Sequence, residues 1–285
     1  MKAGLLGNLA LAALVAALAL FVYLKPGGDA ATDFALSSLK PGAASLIRIE
    51  RDGAAAIVLE RKHDAWLLTA PFAARADELM VQRLLEIALA KAAHRLAASD
   101  LARFDLERPE ARLIIDGQTF SFGVVSAVSR EQYVLTGDAV YTVSPRYGLA
   151  LPGNAADLIS RRLFAPDEVP ARIALKDFAV EQRDGTWTLA PHSGDLSQDD
   201  LLRWVDEWRL ATALRVEPYA KGKIQGEIKL QLKSGGKLTL GILSREPELV
   251  LLRPDEKLQY YFFAESAKRL LSPPGSARNE PAGKQ

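Results

Sequence analysis

Reactive chemistry needs ligands, nucleophiles or paired acids at workable spacing, and each candidate group in this sequence lacks a partner. His63, His94 and His192 are far apart, and none stands at His-x-x-x-His spacing from a second zinc ligand. Asp195, Asp199 and Asp200 form an acidic cluster of the kind that suits a hard cation. Two of the three, however, fall in the first turn of an expected helix, where carboxylates are favoured electrostatically. Ser37 to Lys40 reads "SSLK", the Ser-x-x-Lys of penicillin-recognising enzymes, but it directly precedes Pro41 and lacks the Ser-Asp-Asn and Lys-Thr-Gly partner motifs. "KSGGK" at Lys233 to Lys237 lacks phosphate-loop spacing and reads as a hairpin turn. A hydrolase would require Asp195 and Glu181 to converge by folding. No catalytic, cofactor-binding or metal-ligating residue is therefore expected, and the chain reads as a non-enzyme that needs no cofactor. Aromatic surface remains as the candidate for recognition. Trp204 falls about 60° from the apolar stripe of its helix, and "QYYFF" places Tyr261 and Phe263 opposite Tyr260 and Phe262, so Trp204, Tyr261 and Phe263 form a candidate partner surface.

Composition limits the alternatives. Of 285 residues, 49% are hydrophobic and 25% charged, the profile of an ordinary globular chain. Thirty-six basic against 35 acidic side chains leave a net charge of +1, which argues against nucleic acid as a partner. The absence of cysteine excludes disulfides, thiolate metal sites and lipidated-cysteine anchoring.

The elements that position these residues are written twice. "ERKHDAW" (Glu60 to Trp66) aligns without gaps to "EQRDGTW" (Glu181 to Trp187), each a turn signal before an aromatic strand. Trp66, Leu68 and Pro71 match Trp187, Leu189 and Pro191. The tryptophans and leucines alternate toward a core, and the prolines end the strands. A helix follows each strand. Asp77 caps "ELMVQRLLEIALAKAAHRL", and Ser197 caps "QDDLLRWVDEWRLATA" with Leu201, Val205 and Trp208 as its stripe. Strand, turn and strand come next in each, ending at Gly123 and Gly241, then another hairpin and a short closing helix near Ala155 to Arg162 or Ala264 to Leu271. The expected architecture is α+β: an N-terminal transmembrane helix, then two tandem repeats of antiparallel hairpins, each packed by an amphipathic helix.

From Gly4 to Leu24 the sequence carries no charge, and 21 residues make about 30 Å of helix, enough to span a bilayer. The stretch is longer than the apolar region of a cleaved signal peptide, which is the competing reading. The expected division is an anchor over 1–25, with residues 5–24 in the inner membrane, a linker over 26–44, a first unit over 45–165 and a second over 166–271. A disordered tail over 272–285 completes it. The expected location is the inner (cytoplasmic) membrane, single pass, with the C-terminal domain periplasmic or otherwise extracytoplasmic.

In order, Trp66, Leu68 and Pro71; Ala76 and Asp77; Leu84 and Leu85; Phe104, Leu106 and Pro109; Gly123; and Val140 and Tyr141 resemble the pattern of bacterial membrane-anchored proteins carrying the domain of unknown function 4340. "FDLERP" departs from that pattern where glycine is usual, and the second unit keeps Trp187, Leu189, Pro191, Leu201, Leu202 and Gly241. The resemblance covers most of Ser45 to Leu271. It implies one amino-terminal anchor, an extracytoplasmic body and genes near transporter components resembling those of gliding-motility ABC systems. It supplies no catalytic residue. The functional expectation is an adaptor or accessory subunit of an ABC-type transport complex with a protein partner in the envelope. The alternative is an envelope glycan- or lipid-binding module, and a hydrolase stands third.

Overall fold

Type I′ turns set the registers of the hairpins. His63-Asp64, Asp116-Gly117 and Asp184-Gly185 all place two consecutive residues at positive φ, the two-residue connection whose twist matches the strands it joins. A computed structural model describes residues 11–17, 19–20, 33–191 and 196–275. Its strands, in chain order, are β1 (Phe34–Ala35), β2 (Leu46–Arg51), β3 (Ile57–Lys62), β4 (Ala65–Ala70), β5 (Ala74–Arg75), β6 (Lys91–Ala92), β7 (His94–Ala97), β8 (Ala111–Ile115), β9 (Gln118–Val125), β10 (Gln132–Thr136) and β11 (Ala139–Val143). The later ones are β12 (Pro170–Ala174), β13 (Ala179–Arg183), β14 (Thr186–Ala190), β15 (Arg215–Pro218), β16 (Gly226–Leu232), β17 (Lys237–Ser244), β18 (Glu248–Arg253) and β19 (Leu258–Phe263).

Nine strands form one antiparallel sheet in the order β5-β4-β3-β2-β8-β9-β10-β11-β7, and eight form another in the order β14-β13-β12-β16-β17-β18-β19-β15. The shared order is the geometric form of the repeat: a hairpin (β3–β4 or β13–β14) and the strand before it, then a four-stranded meander, then an edge strand (β7 or β15) that precedes the meander in the chain, with β5 added to the first sheet alone. Trp66 pairs with Arg61, and Trp187 with Gln182, at matching registers. Alternation buries Ile47, Ile49, Leu59, Trp66, Leu68, Leu113, Ile115 and Phe120 in the first sheet, and Ile173, Val180, Trp187, Leu189, Ile228 and Leu240 in the second.

Each sheet packs a capped helix. In Glu78–Leu85 the Asp77 carboxylate accepts from the Leu79 and Met80 amides, and Val81, Leu84 and Leu85 turn inward. In Gln198–Arg209 the Ser197 hydroxyl and the Asp200 carboxylate form a capping box. The Trp204 indole donates to the Ser272 carbonyl at 3.0 Å and that of Trp208 to the Leu270 carbonyl at 3.1 Å. These bonds fasten the helix to its neighbour Ala264–Leu271.

Residues 159–163 join the two sheets. Ser160 donates to the Arg75 carbonyl (2.8 Å) on one side, while Leu163 donates to Ala211 (2.9 Å) and Ala213 to Arg161 (2.8 Å) on the other. Isolated bridges Ala76↔Ile159 and Arg162↔Thr212 mark the same path. The β5 edge of the first sheet is therefore continued through the connecting chain to the segment entering β15, the edge of the second. Apolar side chains from both sheets merge into one core.

Several expectations are corrected. Among the described residues no helix is long and apolar enough to cross a membrane, which overturns the N-terminal transmembrane helix in the expected fold class. Within 4–24, residues 11–17 and 19–20 are helical, and the others lie outside the described residues. The inner-membrane, single-pass location derived from that helix is overturned by the same finding. The fold is also richer in sheet than expected, with three antiparallel sheets. Part of the excess comes from the first-unit helix, which ends as an α-helix at Leu85 and as a 3-10 turn at Leu89. His94 to Leu96, expected to end the first-unit helix, instead belong to β7, which pairs along β11 as the sheet edge, because ladder hydrogen bonds outweigh local helix propensity. Residues 33–44, expected to be a free linker, pack against the first unit: β1 pairs with β6, and Leu36 is buried. The helix expected near Ala155 to Arg162 is a single 3-10 turn, Ala155–Leu158. Ser272 is held by Trp204, and the tail from 276 lies outside the described residues.

Gly123 has a steric reason. A Cβ placed there would lie 2.1 Å from the Phe104 carbonyl oxygen, whereas one on Gly241 meets the Ile224 side chain at 3.3 Å. Backbone cannot yield as a side-chain tip can, so Gly123→Ala is expected to destabilise by about 1–3 kcal/mol and Gly241→Ala by clearly less, read as chemical-denaturation midpoints. Equal midpoint shifts would contradict the packing of the Phe104 loop on β9.

Candidate functional site

Among the described residues, the candidates from the sequence lie on separate elements. His63 sits at a positive φ in a hairpin turn, His94 on the edge strand β7, and His192 and Asp195 lie outside the described residues. Among the described residues no three His, Cys, Asp or Glu side chains gather as metal ligands. Asp199 is exposed on the first turn of its helix and Asp200 is spent in the cap. Glu181 forms ion pairs with Arg172 and Arg183 across the sheet surface. Ser37 hydrogen-bonds Gln118 at 2.7 Å and lies on no helix.

The aromatic candidates divide. Trp204 is 5% exposed, its ring packed between Phe178 and Trp208, which removes it from any surface. The stripe widens to admit it because Ala264–Leu271 covers that flank. Tyr261 is engaged within its own sheet: Arg215 lies 3.7 Å over its ring, and its hydroxyl meets Glu217 at 3.0 Å. Phe263 is 63% exposed at the end of β19. Trp66, Leu68, Trp187 and Leu189 are buried, and Pro71 and Pro191 follow cis peptide bonds at the ends of their strands.

The strongest electrostatic cluster lies where the sheets meet. Arg253 is 1% exposed. Its guanidinium grips Glu168 with two hydrogen bonds of 2.8 Å, donates to the Leu163 carbonyl at 2.7 Å and meets Asp255 at 2.6 Å. Arg75, from the other sheet, donates to Glu256 at 2.6 Å and to the Tyr260 hydroxyl at 3.0 Å, and Tyr260 donates to Glu256 at 2.5 Å. Burial pushes the Glu168 carboxyl up, but the Arg253 hydrogen bonds, the Ala165 amide and the charges of Arg253 and Arg75 outweigh it and hold the group below the usual range. Burial, then Glu256, pushes the Tyr260 hydroxyl well above its ordinary value. The polar atoms in this network bond one another and the Arg162 and Leu163 carbonyls of the connecting chain, which fastens the two sheets.

Two further surface features stand out among the described residues. The first is a polar cleft of about 890 Å³ whose lining includes Arg48, Arg51, Arg108 and Arg112 together with Glu50, Asp52 and Glu110. The second is the apolar tip of the β9–β10 hairpin. Val124 and Val125 are exposed there and Val128 is 96% exposed. Leu149, 84% exposed, follows Gly148, which closes on Gln132, the register partner of Val125. Sequence reading missed both. The arginines lie in "RIERDG" and "ERPEAR", which only the register Glu50↔Arg112 brings together. The one available signal for the hairpin was "VVSAV", apolar residues running through a turn.

A family model described as "Domain of unknown function (DUF4340)" matches residues 66–224. No curated protein and no solved structure matches the chain. The family match spans more than half of the 285 residues, and the chain belongs to that family.

The depressed Glu168 carboxyl gives stability a pH dependence of definite sign. A carboxyl whose folded value lies below its unfolded one contributes fully above the unfolded value, and the contribution fades as pH falls through the folded one. The melting temperature is therefore expected to drop as pH is lowered below about 4.3, the ordinary glutamate value. Glu168→Gln should lower stability at neutral pH by about 1–3 kcal/mol and flatten that acid slope. An unchanged slope in thermal melts between neutral and acid pH would show that Glu168 is not held as described.

Proposed function

We propose that this member of the DUF4340 family is a non-enzymatic adaptor, an accessory subunit that docks on a protein partner through the apolar hairpin tip of its first sheet. The setting that the family resemblance implies is an ABC-type transport assembly. The supporting observation is the exposure of Val124, Val125 and Val128 on the β9–β10 hairpin, with exposed Leu149 on the short helix Arg146–Leu149 that closes on the same hairpin through Gly148 and Gln132. An apolar residue at 96% exposure on a turn contributes nothing to the folded monomer, and grouped exposed apolar side chains of this kind mark contact surfaces. Hot spots in such surfaces are few and central, so one or two side chains carry much of the affinity. The glycan- or lipid-binding alternative loses its main residue because Trp204 is buried.

Crosslinking in intact cells followed by affinity recovery tests this reading. The wild-type chain is expected to recover a defined protein. Val128→Asp with Leu149→Asp should reduce recovery on the order of tenfold with an unchanged circular dichroism melt, since both positions lie outside the core. Equal recovery by the two chains, or none by either, would contradict the proposal.

A further inference from the structure

We infer that the arginine cleft on the first sheet binds a phosphorylated sugar or polyol, with Arg108 and Arg112 taking the phosphate and Asp52 accepting from a hydroxyl. The inference stands apart from the adaptor proposal, since it concerns a different surface.

The cleft is built by register and by one loop. Arg48 and Glu50 point from the outward side of β2, and Glu50 pairs across the ladder with Arg112 of β8. Arg51 closes one wall, donating to the carbonyls of Pro152 at 3.2 Å and Leu151 at 3.3 Å. Buried Pro109 holds the loop that brings Arg108 to the rim.

The charges inside the cleft are unequally used. Arg48 is paired with Glu50 at 2.7 Å, and Arg51 lies 3.5 Å from Glu110. Among the described residues the side chains of Arg108, Arg112 and Asp52 form no ion pair or hydrogen bond. Two uncompensated guanidinium groups and one uncompensated carboxylate therefore face one space. A guanidinium presents paired donors that match two oxygens of a phosphate, and a carboxylate accepts from hydroxyl groups but repels a second anion. A phosphate on the two guanidinium groups and a hydroxyl on the carboxylate satisfy all three. The volume of about 890 Å³ falls in the range of small-molecule sites. The feature is not a by-product of the repeat: alignment of Trp66 with Trp187 places Ala174 of the second sheet where the first has Arg48.

Isothermal titration of the full chain with glucose 6-phosphate tests the inference, with inorganic phosphate and sedimentation with phosphatidylglycerol vesicles as parallel arms. Arg108→Gln/Arg112→Gln is the test variant and Arg245→Gln, on the other sheet, the control. Either glucose 6-phosphate or the vesicles should bind more tightly than inorganic phosphate. That binding should fall by roughly tenfold or more in the double variant and stay unchanged in the control. Binding of the sugar phosphate assigns a free ligand, and binding of the vesicles a lipid headgroup. The inference is overturned if neither binds at millimolar concentration, if inorganic phosphate binds as tightly as both, or if the double variant binds like the wild type. All three positions are exposed, so circular dichroism melts should coincide.

Discussion

The relation between the two sheets depends on the buried guanidinium of Arg253. A charge this far from water is costly unless geometry and hydrogen bonding offset the loss, and Arg253 meets that condition with Glu168, Asp255 and the Leu163 carbonyl. Leu163 and Glu168 belong to the chain that runs from one sheet to the other, so satisfying Arg253 also fixes the path of that connection. Arg75 completes the arrangement from the opposite side, with Glu256 shared between the two arginines. Removing Arg253 would take both guanidinium hydrogen bonds from Glu168, which makes the network demanding of geometry and therefore specific.

This fastening gives the surface features their context. The apolar hairpin and the arginine cleft both belong to the first sheet, on a body whose outer edge continues into the second. Partner contact at the hairpin and ligand binding at the cleft would therefore be carried by one rigid support. The second sheet contributes to that body through Trp204 and Trp208, whose indoles close its helix pair from within.

Much of the fold was legible in the sequence because its signals are local. The turn dipeptides, the Trp-x-Leu alternation and the caps at Asp77 and Ser197 each specify their own few residues. The misreadings share the opposite cause. Residues 94 to 96 read as the end of the helix capped at Asp77, yet they fall in an edge strand because β11 offers a long-range ladder that no local window contains. Trp204 was placed at a helix flank by angle alone, and its burial depends on a second helix more than fifty residues away. The site was less legible still. Arg48, Arg108 and Arg112 are ordinary surface residues in sequence, and only strand register gathers them around one cleft.

Differential scanning calorimetry of the full chain tests most directly the claim that the two sheets form one cooperative body. The account predicts a single transition with equal calorimetric and van't Hoff enthalpies. Arg75→Ala should lower that transition by weakening the join. Two separable transitions in the wild-type chain, with Arg75→Ala moving neither, would contradict it.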